Sequence, residues 1–336
     1  MKAFEIPNSF GLDSLKLVER LDPSPGYGQI LIKLRAVSLN YRDLMVVKGL
    51  YNRNLTLPLI PFSDGVGEVV GLGEGVTRVK IGDRVAGIFF QKWLSGRLTE
   101  EKTQSALGGV IDGLLAEYAV LDEEGVVFVP EHLTNVEAAT LPCAAVTAWN
   151  ALVTSGNVKA GDTVLVQGTG GVSIFALQFA QVLGAKIIAT SSSDEKLERL
   201  QSLGVTETIN YKQTPDWGNK VQEITAGVGA DHVVEVGGAG TLNQSLKAVN
   251  HGGQISLIGV LTGGKGEINT AAILMKNVRV QGIYVGSKKM FEDMNRAIAL
   301  HKIRPICDRV FPFQSARSAL EYMEGGVHFG KICIQF

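Results

Sequence analysis

The sequence has 336 residues, is 45% hydrophobic and 19% charged, and carries a formal net charge of −1 at pH 7, the balance of a globular protein and not of a disordered or fibrous one. That charge leaves no excess for a polyanion and no run of Lys and Arg makes a basic patch, so nucleic acid is not an expected partner. The length predicts two folding units, because one hydrophobic core rarely grows this large.

In chain order, Met1-Lys2-Ala3-Phe4-Glu5-Ile6-Pro7 turns to acid and proline before an apolar run can build, so no secretory leader is expected. The glycine-rich first third holds short β-branched runs at Gln29–Leu34, Gly65–Val70 and Asp83–Ile88, which predict an irregular, barrel-like β domain. From about Val158 the pattern changes to apolar runs separated by helical stretches, the alternation of a parallel sheet with helices on both faces. Strands are predicted at Thr163–Gln167, Lys186–Thr190, Thr208–Asn210, His232–Val236, Gln254–Ile258 and Val278–Tyr284, enough for a complete doubly wound dinucleotide fold. Two amphipathic helices, Lys288–Leu300 and Ser315–Glu324, and a strand-like end, Lys331–Phe336, are expected to return to the first domain. The most apolar stretch, Thr163 to Thr190, is broken by Gly168, Gly170, Gly171, Gln178 and Gln181, so no membrane span is expected. Cys143, Cys307 and Cys333 are odd in number and widely spaced, which suits a reducing cytoplasm better than a disulfide framework.

Val164 to Ser173 reads as an apolar strand, a glycine turn at Gly168, Gly170 and Gly171, then a helix over Ile174–Leu183. Glycine allows the tight turn and the close approach of a pyrophosphate, which sits against the positive end of the helix dipole. The strand before it and the helix after it give the motif the context it needs. Ser173 departs from the usual glycine or alanine at the third motif position. A tight turn that uses glycine for packing alone is the alternative.

These residues, with Ser38–Asp43, Gly65–Val76, Gly82–Val85 and Leu141–Trp149, resemble the medium-chain dehydrogenase/reductase superfamily over essentially the whole chain. The resemblance implies an α/β architecture, a Rossmann doubly wound parallel sheet inserted in a GroES-like, mainly β catalytic domain. On this resemblance residues 1–126, completed by 287–336, are expected to form the catalytic domain and residues 127–286 the nucleotide domain, with the active site expected in the cleft between them.

Zinc alcohol dehydrogenases of this superfamily hold a catalytic metal at positions that here read Asn40, Ser63 and Cys143. One thiolate does not supply the three protein ligands such a site needs, and the cysteines of the structural zinc are missing from the loop Phe89–Ala119. No metal is expected, and Cys143 is read as a small buried apolar residue. Without a Lewis acid the substrate must be activated already, as in a quinone, enone or enoyl compound whose enolate oxygen ordinary donors can stabilise.

Tyr51 matches the tyrosine that enoyl reductases of the superfamily place beside the substrate, which implies a proton donor or oxyanion stabiliser; a loop tyrosine covering apolar surface is the alternative. Asn40 is a candidate contact to nicotinamide or substrate oxygen, or a helix cap. Asp43 is expected to support the local fold with Arg42. The resemblance places Thr147 against the nicotinamide ring, Gly168, Gly170, Gly171 and Val172 on the pyrophosphate, and the backbone at Gly259, Val260 and Val285-Gly286 on the carboxamide. It also puts Lys331 near the cofactor phosphates, with a solvated surface lysine as the alternative. An NAD enzyme places an acid after its second strand; here Ser191 and Ser192 stand there, and Lys196 and Tyr211 occupy places that hold a 2′-phosphate in related quinone oxidoreductases. NADPH is therefore the expected cofactor, with Asp194 and Glu195 as the counterargument. None of the five histidines falls near these motifs. The apolar last strand Val278–Tyr284 predicts a homodimer by edge pairing. An alcohol or aldehyde oxidoreductase working without zinc, and a cofactor-binding protein with little turnover, are the competing readings.

Overall fold

Alternating apolar residues in the first third of the chain produce one long strand around which a sheet assembles. A computed structural model describes all residues, Met1–Phe336. After the antiparallel pair β1 (Lys2–Glu5) and β2 (Lys16–Glu19) comes β3 (Gln29–Ser38). Its residues Ile30, Ile32 and Leu34 are buried on one face, as a period of two requires. β4 (Asp64–Leu72) and β6 (Tyr118–Asp122) pair antiparallel with β3, and β5 (Arg84–Gly87) joins β4 to β7 (Val126–Phe128).

The next six strands are β8 (Thr163–Gln167), β9 (Lys186–Ser191), β10 (Glu207–Asn210), β11 (Ala230–Glu235), β12 (Val249–Leu257) and β13 (Arg279–Gly282). They form one six-stranded sheet in the order β10-β9-β8-β11-β12-β13, with every pair parallel. The order reverses between β8 and β11, and the carboxyl ends at such a switch point are where doubly wound sheets bind ligands. β12 starts five residues before the expected Gln254, because Val249 already pairs with Ala230. β13 is shorter than Val278–Tyr284, since the Val278 N–H turns back to Ile273 O (3.0 Å) at the end of the helix Thr270–Met275.

Two more strands close the chain. β14 (Cys307–Pro312) pairs parallel with β15 (Lys331–Gln335), and β15 lies antiparallel to β3 with Cys333 opposite Ser38. The C-terminus thus returns to the first sheet. The chain divides into two units, Met1–Val146 with Val285–Phe336, and Thr147–Tyr284. Residues 127–146, expected in the nucleotide domain, group with the first unit: Phe128 pairs with Val85 and the Cys143 N–H donates to Asp64.

Candidate active site and cofactor cradle

At the carboxyl end of β8, Gly168 takes a φ of +68°, a conformation glycine adopts without strain. Its N–H donates to Thr190 O (2.8 Å). Gly170 is extended and precedes the helix Gly171–Val182, whose first turn no side chain caps. That helix begins three residues before the expected Ile174, so the N–H groups of Gly171, Val172 and Ser173 belong to the first turn and have no helical acceptors. A methyl group placed at Gly168 or Gly170 meets no atom within 4 Å, so the turn opens onto free space. Ser173 is 2% exposed, and its Oγ donates to Gln167 O at 2.6 Å. The hydroxyl at the unusual motif position thus ties the helix back to the strand.

The second strand ends in Ser191, buried, whose carbonyl accepts the Tyr211 N–H (3.0 Å) and whose Oγ accepts the Ser193 N–H (3.3 Å). Ser193 caps the helix Asp194–Ser202 by accepting the Lys196 N–H. The structure therefore brings Ser191, Ser192, Tyr211 and the Lys196 turn together. Asp194 accepts from Asn210 Nδ2 (2.6 Å) and Gln213 Nε2 (2.9 Å), which accounts for its carboxylate by local contacts. Thr147 is buried in a helical segment between π turns at Leu141–Ala145 and Asn150–Thr154.

Sequence reasoning missed Glu235. This fully buried acid at the end of β11 accepts from Gly237 N, Gly238 N and Thr241 Oγ1 through one oxygen, and from Gln167 Nε2 and Ser245 Oγ through the other. It joins the ends of β8 and β11, and buried carboxylates persist when hydrogen-bonded this fully. The only signal was an acid two residues before Gly237-Gly238. Gly259 donates to Glu235 O (3.2 Å), while Val260 is 60% exposed. In the other unit Val285, buried, has a φ of +57°, a strained state for a β-branched residue of the kind found at functional sites.

In that unit Asn40 precedes the helix Tyr41–Val47, and Asp43 Oδ2 accepts its backbone N–H (2.8 Å). Asp43 is wholly buried, with the Arg42 guanidinium 3.4 Å away. Burial pushes its carboxyl up to about 6 although Arg42 pulls it down. Asn40 Nδ2 donates to Ser63 Oγ (3.3 Å), Ser63 Oγ donates to Asp64 Oδ1 (2.7 Å), and Asp64 Oδ2 accepts the Cys143 N–H (3.0 Å). Lys331 Nζ donates to Asn40 Oδ1 and to Leu39 O, each at 2.5 Å. Only 4% of Lys331 is exposed, which rules out the solvated surface lysine. Burial raises the Asp64 carboxyl, opposed by the Lys331 charge. Cys143 is partly exposed and not buried as expected; desolvation and the Asp64 charge push its thiol up. Tyr51 is 41% exposed, with the Arg42 guanidinium 5.4 Å from its ring centroid and 5.0 Å from that of Phe89.

Residues 26–131 match the family model described as an alcohol dehydrogenase GroES-like domain, and residues 171–300 match that of a zinc-binding dehydrogenase. A zinc-type alcohol dehydrogenase-like protein of Schizosaccharomyces pombe is 47% identical, covering 97% of this chain and 96% of its own. The chain belongs to the medium-chain dehydrogenase/reductase superfamily. A quinone oxidoreductase of Pongo abelii is 29% identical over 96% of this chain and 93% of its own. A solved NAD-dependent alcohol dehydrogenase superposes with a TM-score of 0.91 at 32% identity over 100% of both chains. The protein is thus an oxidoreductase of the superfamily, with a GroES-like domain and a Rossmann sheet.

Two groups known from this superfamily can be tested against the residues present. For a zinc ion the donor set does not fit. Asn40 Oδ1 already accepts from an ammonium, Ser63 is a neutral hydroxyl, and Cys143 alone offers a thiol; the adjacent Lys331 cation repels a divalent ion. No group of three or more His, Cys, Asp or Glu side chains converges anywhere in the chain. A dinucleotide does fit. The open space beside Gly168 and Gly170, and the uncapped first turn at Gly171, Val172 and Ser173, form an anion cradle of backbone N–H groups.

Proposed function

We propose that this oxidoreductase reduces an activated conjugated carbonyl, a quinone, enone or enoyl compound, with NADPH and without zinc. The observation that carries the reading is the Asn40–Ser63–Asp64 network capped by Lys331, in which Asn40 and Ser63 hold two of the three positions that resemble the superfamily's metal-ligand positions. Gly168, Gly170, Gly171 and Val172 would hold the pyrophosphate, Thr147 the nicotinamide ring, and Gly259, Val260 and Val285 the carboxamide. Ser191 and Ser192 leave the second strand without a carboxylate, and Lys196 with Tyr211 would hold the 2′-phosphate. Bound NADPH supplies a hydride. Tyr51 donates a proton or stabilises the oxyanion left on the acceptor, work that one hydrogen-bond donor can do when the charge is spread over an enolate. We assign the edge strand β13 to a homodimer contact, checked by the mass in solution at micromolar concentration.

The test is NADPH consumption with a panel of quinones, enones, enoyl thioesters and aldehydes, on chelator-washed protein with elemental analysis. Turnover of conjugated acceptors without stoichiometric metal is expected. Activity confined to alcohols and aldehydes would favour the second reading, which the likeness to an NAD-dependent alcohol dehydrogenase supports. Binding of NADPH with no turnover would leave a cofactor-binding protein.

A further inference from the structure

The polarity of the hydrogen bonds around Asn40 is determined at both ends. An ammonium has donors and no acceptor, so Asn40 must turn its carboxamide oxygen toward Lys331. Ser63 has one hydroxyl hydrogen, directed at Asp64 Oδ1, so its oxygen must accept from Asn40 Nδ2. Asp64 accepts on both oxygens, from Ser63 and from the Cys143 backbone. The donors therefore run one way, Lys331 to Asn40 to Ser63 to Asp64, from a buried cation to a buried acid. Lys331, Ser63 and Asp64 are all at most 4% exposed, so water cannot readily substitute for a missing member, and a half-satisfied network is costly.

We propose that Lys331 is a positioning residue that acts through Asn40. Its ammonium, pinned between the Leu39 carbonyl and Asn40 Oδ1, holds the carboxamide in one of its two orientations and neutralises Asp64, as a resident cation where the superfamily's zinc members bind a metal. This goes beyond the expected contact of Lys331 with cofactor phosphates and rests on the reading above only for its kinetic consequence. Without the ammonium, Asn40 Oδ1 keeps only the capping contact of the Asp43 backbone N–H and loses its charged donor, so the amide can turn over, presenting oxygen where the site needs a donor.

The experiment uses the full chain. The Asn40 side-chain amide protons, assigned by their loss in Asn40→Ala, should exchange with solvent at least about tenfold faster in Lys331→Met, since a buried hydrogen bond to a charged group is worth about 1.5–3 kcal/mol, while core backbone amides keep their protection. Unchanged exchange overturns the proposal. In a kinetic cycle, Lys331→Met and Asn40→Ala should each lower kcat by about tenfold, and the double variant no further, because residues acting as one unit are not additive. Losses that multiply would show Lys331 acting independently of Asn40, and overturn it. Should Lys331→Met not fold, lysine-selective ¹⁵N labelling of the native chain should show one slowly exchanging ammonium resonance that shifts in Asn40→Ala; its absence refutes the contact. If the native enzyme turns over none of the acceptors, the functional reading fails, and the exchange measurements still decide the role of Lys331.

Discussion

The glycine turn after β8 and the polar cluster around Asn40 are built on opposite principles. The turn is made of backbone: Gly168 and Gly170 face open space and the helix behind them has an uncapped first turn, an arrangement that suits an anion. The cluster is made of side chains, buried and already paired from Lys331 to Asp64. A backbone site depends on few residue types and survives most exchanges around it. A side-chain site changes its chemistry with each substitution, and here Asn40 and Ser63 join the buried Lys331 to the buried Asp64 in a hydrogen-bond chain.

The sharpest way to break this contrast is at Tyr51, which would supply alone what a metal would otherwise share. Tyr51→Phe removes one hydroxyl and should lower kcat for a conjugated acceptor by about 10²–10³, the usual loss of a single oxyanion donor, with NADPH affinity nearly unchanged. Its ring should stay in place, because Arg42 packs over it. An unaltered rate under conditions where the chemical step limits would reduce Tyr51 to a packing residue.

The buried acids of the cluster carry a pH signature that the open turn lacks. Burial raises the Asp43 carboxyl from its ordinary 3.8 to about 6, so the folded state holds that proton more tightly than the unfolded chain. The stability it contributes is complete below pH ~4, is lost as pH rises to ~6, and amounts to about 3 kcal/mol at roughly 1.4 kcal/mol per unit. Asp64, also raised by burial, adds in the same direction. Urea midpoints measured from pH 4 to pH 7 should therefore fall in the native protein and fall less in Asp43→Asn. A native midpoint independent of pH over that range contradicts the assignment.

Much of the first region was legible in the sequence and little of the second. β8 was readable to the residue because an apolar run ends on glycine, and the three serines at the end of β9 and just beyond it stand where any reader of the fold would look for an acid. The turn is a local object. Asn40, Ser63 and Cys143 could be set side by side only through resemblance, and nothing local announces that Lys331, 291 residues from Asn40, closes their network. Glu235 escaped for a similar reason, since its donors include Gln167, 68 residues away. The sequence offers Cys143 as a buried apolar residue once its would-be fellow ligands are missing, and nothing local shows that its backbone N–H is held by Asp64.

At the cofactor end the next largest effect is expected from Lys196. If it binds the 2′-phosphate, Lys196→Ala removes a hydrogen bond to a charged group, about 1.5–3 kcal/mol, and should weaken NADPH binding about tenfold to a hundredfold with NADH nearly unaffected. Asp194 and Glu195 lie in the first turn of the helix Asp194–Ser202, where their charge favours the helix dipole, and Asp194 is held by Asn210 and Gln213. Comparing kcat/KM for the two cofactors in native and variant protein decides it, and equal use of NADH by the native enzyme would remove the 2′-phosphate pocket from the account.

The smallest effect belongs to Ser173, and it separates the backbone of the turn from its side chains most finely. The hydroxyl bonds to Gln167 O inside the fold, at 2.6 Å and 2% exposure, facing away from the open side where Gly168 and Gly170 meet nothing. Ser173→Ala leaves that carbonyl one donor short but keeps a small side chain between helix and strand. A neutral hydrogen bond of this kind contributes about 0.5–1.5 kcal/mol, which in a protein of this length lowers Tm by roughly 2–4 °C or less. The N–H groups of Gly171 and Val172 stay where they are, so the dissociation constant for NADPH should match that of the native protein within about twofold. A loss of cofactor affinity much larger than the loss of stability would mean that the serine hydroxyl, and not the backbone alone, helps to shape the cradle.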